Sequence, residues 1–331
     1  MLVGTDTHSH VVLSCPTQQQ GASKVCRRKL PPLTVCEIRL RTSQLRKNLN
    51  VFFRRKIQHE IMTLKTIYFS ATHTSERVVK AISLGMAEEF VAEDITFHEL
   101  ENADFAADEV LLVAVPVYGG GVAPVALKRL EAIRGNNTPA VVVVVYGNRN
   151  FERAAMQMSD FLAERGFITI AAAAFVGEHS YSTDANPVAV GRPNSDDIVD
   201  AQRFGRFVRE KLAVGIEPVD VSSLQCPDSG EENMKAFVEF VKGYQAEQAK
   251  NPVKLLPTTD EEKCVMCGVC VDVCPMEAID REDVSVVEAS KCIKCCACVK
   301  ECPKEAKTLN SPFAPMLSKY FASPKPNVWT I

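Results

Sequence analysis

The length, composition and charge of the chain exclude several classes of protein. Its 331 residues suit two globular domains plus tails, and its 46% apolar and 24% charged residues are normal for globular domains. No run of about 18 apolar residues is present, which excludes a membrane span. The net charge is −3, but residues 1–61 are basic and the rest of the chain is acidic. That balance argues against a nucleic-acid-binding protein, because such binding needs cationic side chains that neutralise phosphates.

Residues 1–61 differ from the rest of the chain. They are rich in Arg and Lys, poor in acids, and have no apolar period. We expect a basic, disordered extension, or sequence upstream of a working start at Met62. An Arg-rich organelle transit peptide is the alternative, and a secretory signal is excluded because Asp6, His8 and His10 interrupt the apolar stretch near the start.

Strands are predicted to alternate with helices from residue 62 onward. The apolar patterns predict strands at residues 65–70, 95–100, 109–117, 140–146 and 167–175. Helices with apolar residues on one face are predicted at residues 75–90, 124–133, 151–165 and 196–214. This alternation predicts an α/β fold over residues 62–215, with a doubly wound, five-stranded parallel sheet that binds ligands at the carboxyl ends of its strands.

Three further segments follow the predicted sheet. Residues 216–250 are predicted to form a linker and an amphipathic bridging helix, and residues 251–308 a cysteine-rich domain. Residues 309–331 hold four prolines and several aromatic residues. We expect this C-terminal tail to wrap back over a core, and docking of a partner is the alternative.

Eight of the 13 cysteines form two runs, and each run has the pattern C-x2-C-x2-C-x3-C-P. This is the bacterial two-cluster ferredoxin pattern, in which the fourth cysteine of each run ligates the other cluster. It predicts two 4Fe–4S clusters in a small α+β domain. The first cluster would be held by Cys264, Cys267, Cys270 and Cys302, and the second by Cys292, Cys295, Cys298 and Cys274.

Two zinc sites are the alternative interpretation of these runs. Zinc ribbons use two widely spaced cysteine pairs rather than three cysteines in tandem, so the iron–sulfur interpretation is favoured. Regular metal-ligand spacing in place of scattered disulfides also indicates a reducing compartment, and we expect the protein to be cytoplasmic. The additional thiol of Cys296 is expected to pack beside the second cluster.

A loop rich in hydroxyls follows the first predicted strand. Its polar residues stand where a helix begins, and hydroxyls with main-chain N–H groups can hold a phosphate there. They are Ser70, Thr72, His73, Thr74 and Ser75. No P-loop and no dinucleotide-binding GxGxxG motif is present. A plain helix cap is the alternative, but it uses only one hydroxyl.

Two more loops bring an aromatic residue and glycine to the same predicted edge of the sheet. One loop follows the third strand and the other follows the fourth. Their residues are Tyr118, Gly119 and Gly120, and Tyr146, Gly147, Asn148 and Arg149. A flat ring can lie between such aromatic residues, while glycine lets the backbone approach its edge. Together with the hydroxyl loop, these residues predict an FMN site of the flavodoxin type.

On the basis of these motifs, about residues 62–310 resemble the EFR-family ferredoxins. In that family, a flavodoxin-like domain is fused to a two-cluster ferredoxin. The resemblance lies in the cysteine runs and in FSATHTSERV (69–78), PVYGGG (116–121), YGNRNFERA (146–154) and FVGEHSYS (175–182). It implies electron transfer between iron–sulfur clusters and a flavin. His73 stands where flavodoxins usually have glycine, so a positive φ at this position would be costly and would weaken phosphate binding.

Two side chains are candidate catalytic residues. His179 follows the fifth strand, where it can titrate near neutral pH and donate to a flavin or a substrate. A structural histidine is the alternative. Arg149 can stabilise an anionic reduced flavin, or it can pair with an acid instead.

The favoured hypothesis is an iron–sulfur flavoprotein that moves single electrons between two 4Fe–4S clusters and FMN and then reduces a small acceptor or a partner. Such a protein would be an FMN-dependent oxidoreductase that works with a redox partner protein or another low-potential electron donor. The alternative is a non-catalytic electron carrier or redox sensor with a flavin-free flavodoxin scaffold, whose acidic surface docks on a basic partner.

Overall fold

The computed structural model describes residues 62–101 and 103–331. The extension predicted for residues 1–61 lies outside the described residues. The main sheet contains β1 (Thr63–Tyr68), β2 (Val91–Asp94), β3 (Glu109–Tyr118), β4 (Thr138–Tyr146), β5 (Phe167–Val176) and β6 (Val328–Thr330). Two-residue strands lie beside it: Gly121–Val122 pairs with the end of β3, and Asp104–Phe105 pairs with Arg134–Gly135.

The strands of the main sheet lie in the order β2–β1–β3–β4–β5–β6. β1 to β5 run parallel, and β6 pairs antiparallel with β5. The order β2–β1–β3–β4–β5 is that of the flavodoxin-like doubly wound fold, so the predicted fold class is confirmed. β6 comes from the C-terminal tail and was not predicted from the sequence.

Burial on both faces of the sheet explains the run of valines in β4. All nine residues of β4 are buried. Side chains alternate between the two faces of a strand, so Val142 and Val144 pack into one apolar core while Val141, Val143 and Val145 pack into the other. A sheet with water on one face would instead need polar residues at every second position.

Four helices cover the sheet. They are α1 (Thr74–Met86), α2 (Pro124–Arg129), α3 (Ala154–Ala163) and α4 (Ser195–Val214). α1 and α4 contribute to the core on one face, and α2 and α3 contribute to the core on the other. A capping box begins α4: the Asn194 side chain accepts the Asp197 N–H, and the Asp197 carboxylate accepts the Asn194 N–H.

The second strand lies earlier in the chain than predicted. A strand was predicted at residues 95–100, whereas β2 is Val91–Asp94 and pairs with β1. The first three residues of β2 are exposed, so this edge strand lacks the apolar pattern that marks a buried one. Ile95 and Leu100 are buried in the segment that follows β2, and their apolar side chains explain the wrong assignment.

Four more helices follow α4. They are α5 (Glu231–Lys250), α6 (Val269–Asp272), α7 (Ala297–Lys300) and α8 (Phe313–Phe321), with a 3-10 turn at Val221–Ser223. α5 was predicted as the bridging helix, and it packs against α8 of the tail: the ring centroids of Phe237 and Phe321 lie 5.3 Å apart, and those of Phe240 and Phe313 lie 5.5 Å apart. Among the described helices, none is long and apolar enough to cross a membrane.

The C-terminal tail returns to the sheet after α8. β6 pairs with the segment of β5 from Ala172 to Ala174. The Trp329 ring packs against Phe204 of α4, with ring centroids 6.0 Å apart, and the Arg203 guanidinium lies 5.3 Å from the Trp329 ring centroid. The tail therefore covers the edge of β5 that the five parallel strands would leave unpaired.

The cysteine-rich segment repeats its backbone as well as its sequence. Thr258–Thr259 pairs with Lys307–Thr308, and each half carries one short helix, α6 or α7. Residues with positive φ recur at equivalent positions of the two halves. The pairs are Met266 and Lys294, Gly268 and Cys296, and Glu277 and Glu305. Each cysteine run therefore follows the same sequence of turns.

The close crossing of α1 and α4 allows a test of the packing. A Cβ atom at Gly205 would lie 2.2 Å from the Ile82 carbonyl oxygen, whereas a Cβ at Gly243 of α5 would meet no atom within 4 Å. We expect Gly205→Ala to lower the free energy of unfolding by about 1–3 kcal/mol through overpacking. Gly243→Ala, the matched control, should raise it by about 0.5–1 kcal/mol because alanine is the better helix former. Urea unfolding followed by circular dichroism measures both, and equal effects would contradict the close crossing.

Candidate functional site

The eight cysteines of the two runs line two separate cavities, which we call the first and second thiol cavities. The first is lined by Cys264, Cys267, Cys270 and Cys302. The second is lined by Cys274, Cys292, Cys295 and Cys298, and the additional, buried Cys296 lines it as well. The fourth cysteine of each run therefore lies with the first three of the other run, which is the grouping that the spacing predicts.

The thiol cavities fit iron–sulfur clusters better than single metal ions. The ten cysteines of the described residues are free thiols, and the Ala278 and Ala306 N–H groups donate to the Cys274 and Cys302 sulfurs at 3.3 and 3.2 Å. Such N–H to sulfur hydrogen bonds stabilise the thiolates that a cluster needs. Among the described residues, no three ligating side chains are placed to hold one metal ion. A four-iron cluster, in contrast, takes one thiolate at each of four separate iron atoms.

The two thiol cavities differ in exposure. Cys267 is exposed, and its neighbours Val265 and Met266 are 58% and 55% exposed. Cys295 and Cys298 are buried, and Cys295 belongs to the same apolar core as one face of the sheet. The first cavity is therefore close to solvent, and the second is packed against the flavodoxin-like domain.

Two cationic side chains hold the cysteine-rich segment against the sheet. The buried Arg129 guanidinium donates to the Thr96 carbonyl of the sheet domain and to the Pro275 carbonyl, which follows Cys274. The Lys300 ammonium group donates to the Glu178 carboxylate at 2.6 Å and to the Ser182 carbonyl at 3.0 Å. These contacts join both cysteine runs to the domain that carries the predicted flavin site.

A cavity of about 210 Å³, which we call the inner cavity, lies at the carboxyl ends of β1, β3, β4 and β5. Residues of all three predicted loops line it, together with residues that follow β5. They include Ser70, Thr72, Thr74, Ser75, Tyr118, Gly119, Tyr146, Gly147, His179 and Tyr181. Ile293 and Lys294 of the second cysteine run complete its wall. The inner cavity and the second thiol cavity therefore share one loop.

The hydroxyl loop offers unsatisfied hydrogen-bonding groups to the inner cavity. The Ser75 hydroxyl is buried and has no hydrogen-bond partner among the described residues. The Ser70 hydroxyl accepts the Glu76 N–H at 3.0 Å, which orients the first turn of α1. The first N–H groups of any helix lack intrahelical partners, so this turn can donate to an anion. A bound phosphate would satisfy these groups.

His73 does not line the inner cavity, although it was predicted to bind the cofactor. It precedes α1 with φ of 59°, so the position requires the positive φ that favours glycine. Its imidazole lies 2.9 Å from the Glu76 carboxylate and 3.8 Å from the Glu301 carboxylate. The His73 side chain therefore contacts these two carboxylates and does not contribute to the inner cavity.

Asn148 and Arg149 were also predicted to bind the cofactor, and the structure places both side chains outside the inner cavity. The buried Asn148 amide donates to the Phe321 and Ser323 carbonyls at 2.6 and 2.9 Å, so it anchors the tail. The Arg149 guanidinium pairs with Glu152 at 2.6 Å and lies 5.4 Å from the Phe237 ring centroid. Neither side chain lines the inner cavity. Gly120, the remaining predicted residue, also lies outside the inner cavity, and a Cβ atom at this position would meet the Glu152 carboxylate.

His179 is held as a neutral hydrogen-bond donor. Its Nδ1 accepts the Tyr181 N–H at 3.0 Å, so the neutral ring carries its proton on Nε2. Burial, followed by the positive charges of Arg149 and Lys300, lowers its pKa from 6.5 to about 4. The prediction that His179 titrates near neutral pH is therefore wrong. A Cβ at Gly147 would lie 2.3 Å from His179 Cδ2, so this ring position requires glycine there.

The aromatic residues at the cavity are not equivalent. Tyr146 is buried in the core, where its ring packs edge-on to Phe151 with centroids 5.4 Å apart. Tyr118 is half-buried at the cavity, and burial raises its pKa well above the ordinary value. Tyr181 was not assigned to the site from sequence, and it lines the cavity as well. Tyr118 and Tyr181 therefore offer more ring surface to a ligand than Tyr146 does.

Comparison with known proteins gives a match to one family and matches to several solved structures. A family described as 4Fe–4S binding domains matches residues 257–280, which contain the first cysteine run. A flavodoxin from the domain Archaea is 14% identical, with a TM-score of 0.34, over 46% of this chain and 99% of that chain. Flavodoxin 2 from Bacillus cereus is 15% identical, with a TM-score of 0.35, over 45% of this chain and 99% of that chain. A comparison with curated proteins gives no match.

The strand order and the family match together define the class of protein. The chain combines a flavodoxin-like α/β fold with a cysteine-rich segment that matches 4Fe–4S binding domains.

The neutrality of His179 predicts a pH dependence of stability. Its pKa is about 4 in the folded chain and 6.5 for an ordinary histidine, so between these values the unfolded chain binds a proton that the folded chain does not. The fold therefore loses stability as pH falls below 6.5, and the loss levels off below pH 4. Between pH 7 and pH 5, the free energy of unfolding should fall by about 2 kcal/mol more in the wild type than in His179→Gln.

Urea unfolding at the two pH values measures this difference. His98→Gln alters an exposed histidine and should retain the wild-type loss. An equal loss in His179→Gln and the wild type would contradict a neutral His179.

Proposed function

We propose that the chain is an iron–sulfur flavoprotein with two 4Fe–4S clusters and one FMN, in which single electrons pass between the clusters and the flavin and reduce a small acceptor or a partner. The loop shared by two cavities carries this proposal. Ile293 and Lys294 line the inner cavity, and they lie between Cys292 and Cys295, which line the second thiol cavity. Cofactors bound in these two cavities would be separated by one loop of the chain.

The ligand grouping supports two clusters rather than one. Each thiol cavity is lined by the four cysteines that the spacing groups together, with Cys296 as a fifth cysteine at the second cavity, and the two halves repeat the same backbone turns. The exposed surroundings of Cys267 suit electron entry from an external donor, and the buried surroundings of Cys295 suit transfer within the protein. Electrons would therefore enter at the first cluster and leave the second toward the flavin.

The groups around the inner cavity support FMN as its ligand. The unpartnered Ser75 hydroxyl and the first turn of α1 suit the phosphate, and the rings of Tyr118 and Tyr181 suit a flat ring system. His179 would donate from Nε2 to a ring oxygen or nitrogen, and the Lys294 charge would favour negative charge in the cavity. Bound FMN would supply an exchange of electrons one or two at a time.

A flavin-free electron carrier or redox sensor is the second candidate function. The φ of 59° at His73 favours it, because a strained residue before α1 weakens the loop that would hold the phosphate. The exposed Val265 and Met266 beside the first thiol cavity suit a partner surface in either case.

Removal of one ligand of the second cluster tests the proposed electron path. Cys292→Ser should leave FMN bound, because the residue does not line the inner cavity. It should slow the reduction of the flavin by reduced methyl viologen by at least about tenfold, since the buried cluster would be missing from the path. Stopped-flow absorbance of the anaerobic protein, with iron and FMN content measured in parallel, gives the rate.

Cys226→Ser is the matched control, because Cys226 lines neither thiol cavity. It should keep the wild-type rate and iron content. A wild-type rate in Cys292→Ser would contradict the path. A wild-type protein that binds both clusters but no FMN would favour the flavin-free carrier.

A further inference from the structure

A second cleft adjoins the inner cavity on the side of α5 and α8. This outer cleft has a volume of about 590 Å³, which is within the usual range of small-molecule sites. It shares Gly119, Gly147, His179 and Tyr181 with the inner cavity. The cysteine loop forms a wall of the inner cavity only, and the helices form a wall of the outer cleft only. A ligand in the outer cleft would thus approach the proposed flavin site from the side of the helices.

The helix wall of the outer cleft is apolar. It is formed by Phe237, Val238 and Val241 of α5 and by Phe313 and Leu317 of α8. Val238 is 41% exposed, although it lies in this wall. Covering apolar surface of this kind removes it from water, which favours binding of an apolar ligand. The wall therefore suits a flat or otherwise apolar molecule.

The polar groups of the outer cleft carry an excess of positive charge. Arg149 and Lys242 line the cleft, and Glu152 is its one acid among the described residues. Glu152 already accepts a hydrogen bond from Arg149, whereas Lys242 forms no ion pair within the described part of the chain. The Nε2 proton of His179 also has no acceptor there. A carboxylate or another anionic group on the ligand would satisfy these donors.

We propose that the outer cleft binds the small acceptor, and that this acceptor is an apolar, preferably aromatic, molecule with a carboxylate or similar anionic group. This inference rests on the proposed function, because the inner cavity must hold the flavin for a ligand beside it to receive electrons. The cleft binds and orients the molecule: the helix wall covers its apolar body, and Lys242 and Arg149 bind its anionic end.

Binding of naphthoate to the anaerobic holoprotein tests the proposal. Equilibrium dialysis measures the dissociation constant, and the absorbance of bound FMN reports contact with the flavin. Lys242→Glu should weaken binding by at least about tenfold, because it replaces a charge-assisted contact with repulsion. Val241→Glu should have a similar effect. Lys250→Glu makes the same charge change on α5 outside the cleft and should bind naphthoate like the wild type.

The outcomes separate this inference from the proposed function. Equal binding by Lys242→Glu, Lys250→Glu and the wild type would overturn the inference and leave the flavin and clusters in place. Loss of FMN from both Lys242→Glu and Val241→Glu would also overturn the inference, because the outer cleft would then hold the flavin itself. A wild type without FMN that still bound naphthoate through Lys242 would contradict the proposed function and overturn the acceptor role, while the cleft would remain a binding site for an aromatic carboxylate.

A different observation concerns the buried Arg129 at the end of α2. Its side chain is 7% exposed, and its donors meet only the backbone carbonyls of Ile95, Thr96 and Pro275 and the Met276 sulfur. It forms no ion pair within the described residues. The carboxylates of Glu99 and Asp94 act on it from a distance, but the larger effect on its pKa is burial, which lowers it. A buried charge that forms no ion pair is costly, so a further anion close to Arg129 would stabilise it.

We infer that the second iron–sulfur cluster provides this counter-charge and that Arg129 raises its reduction potential. Pro275, whose carbonyl accepts from Arg129, directly follows the proposed ligand Cys274. A cluster with four thiolate ligands is negatively charged, and its potential depends on nearby charge and hydrogen bonding. Adding an electron raises the negative charge, so a fixed cation beside the cluster favours the reduced form.

Redox titration of the second cluster, followed by electron paramagnetic resonance, tests the role of Arg129. Arg129→Gln should shift its potential to a more negative value, and Arg129→Lys should shift it less because the charge is kept. Lys128→Gln removes an exposed charge from the neighbouring position and should leave the potential unchanged. An unchanged potential in Arg129→Gln would overturn the inference. Should Arg129→Gln not fold, a large negative shift in Arg129→Lys would overturn it instead.

Discussion

The packing of the second cysteine run against the carboxyl edge of the sheet is the constraint on which the rest of the structure depends. Cys295 and Ala297 are buried in the same apolar core as one face of the sheet. The Arg129–Pro275 and Lys300–Glu178 contacts hold the run there. Without this packing, the inner cavity would lose the wall formed by Ile293 and Lys294.

The two sets of grouped cysteines lie at different depths in the protein. One thiol cavity lies near exposed residues and the other lies in the core, and the inner cavity follows beside the buried one. The outer cleft then continues from the inner cavity toward α5 and α8. In the proposed function, each electron-transfer step would therefore involve neighbouring sites.

Sequence patterns predicted the parts of the molecule that local chemistry determines. The valines of β4 indicate burial on both faces, and the spacing of the cysteine runs predicts the grouping of Cys302 with the first run. Packing between distant segments was not predictable in the same way. The Asn148 amide binds the tail 173 residues later, and the pKa of His179 is lowered by burial and by Lys300, which is remote in sequence. The exposed strand β2 has too few buried residues to produce an apolar pattern.

The cofactor content of the anaerobically purified protein tests the central claim most directly. Protein made in cells supplied with iron and riboflavin should contain two four-iron clusters and one FMN per chain. Its absorbance spectrum should combine the broad band of the clusters with the bands of the flavin. A folded protein with full iron and sulfide content, but without flavin even after incubation with FMN, would contradict the account.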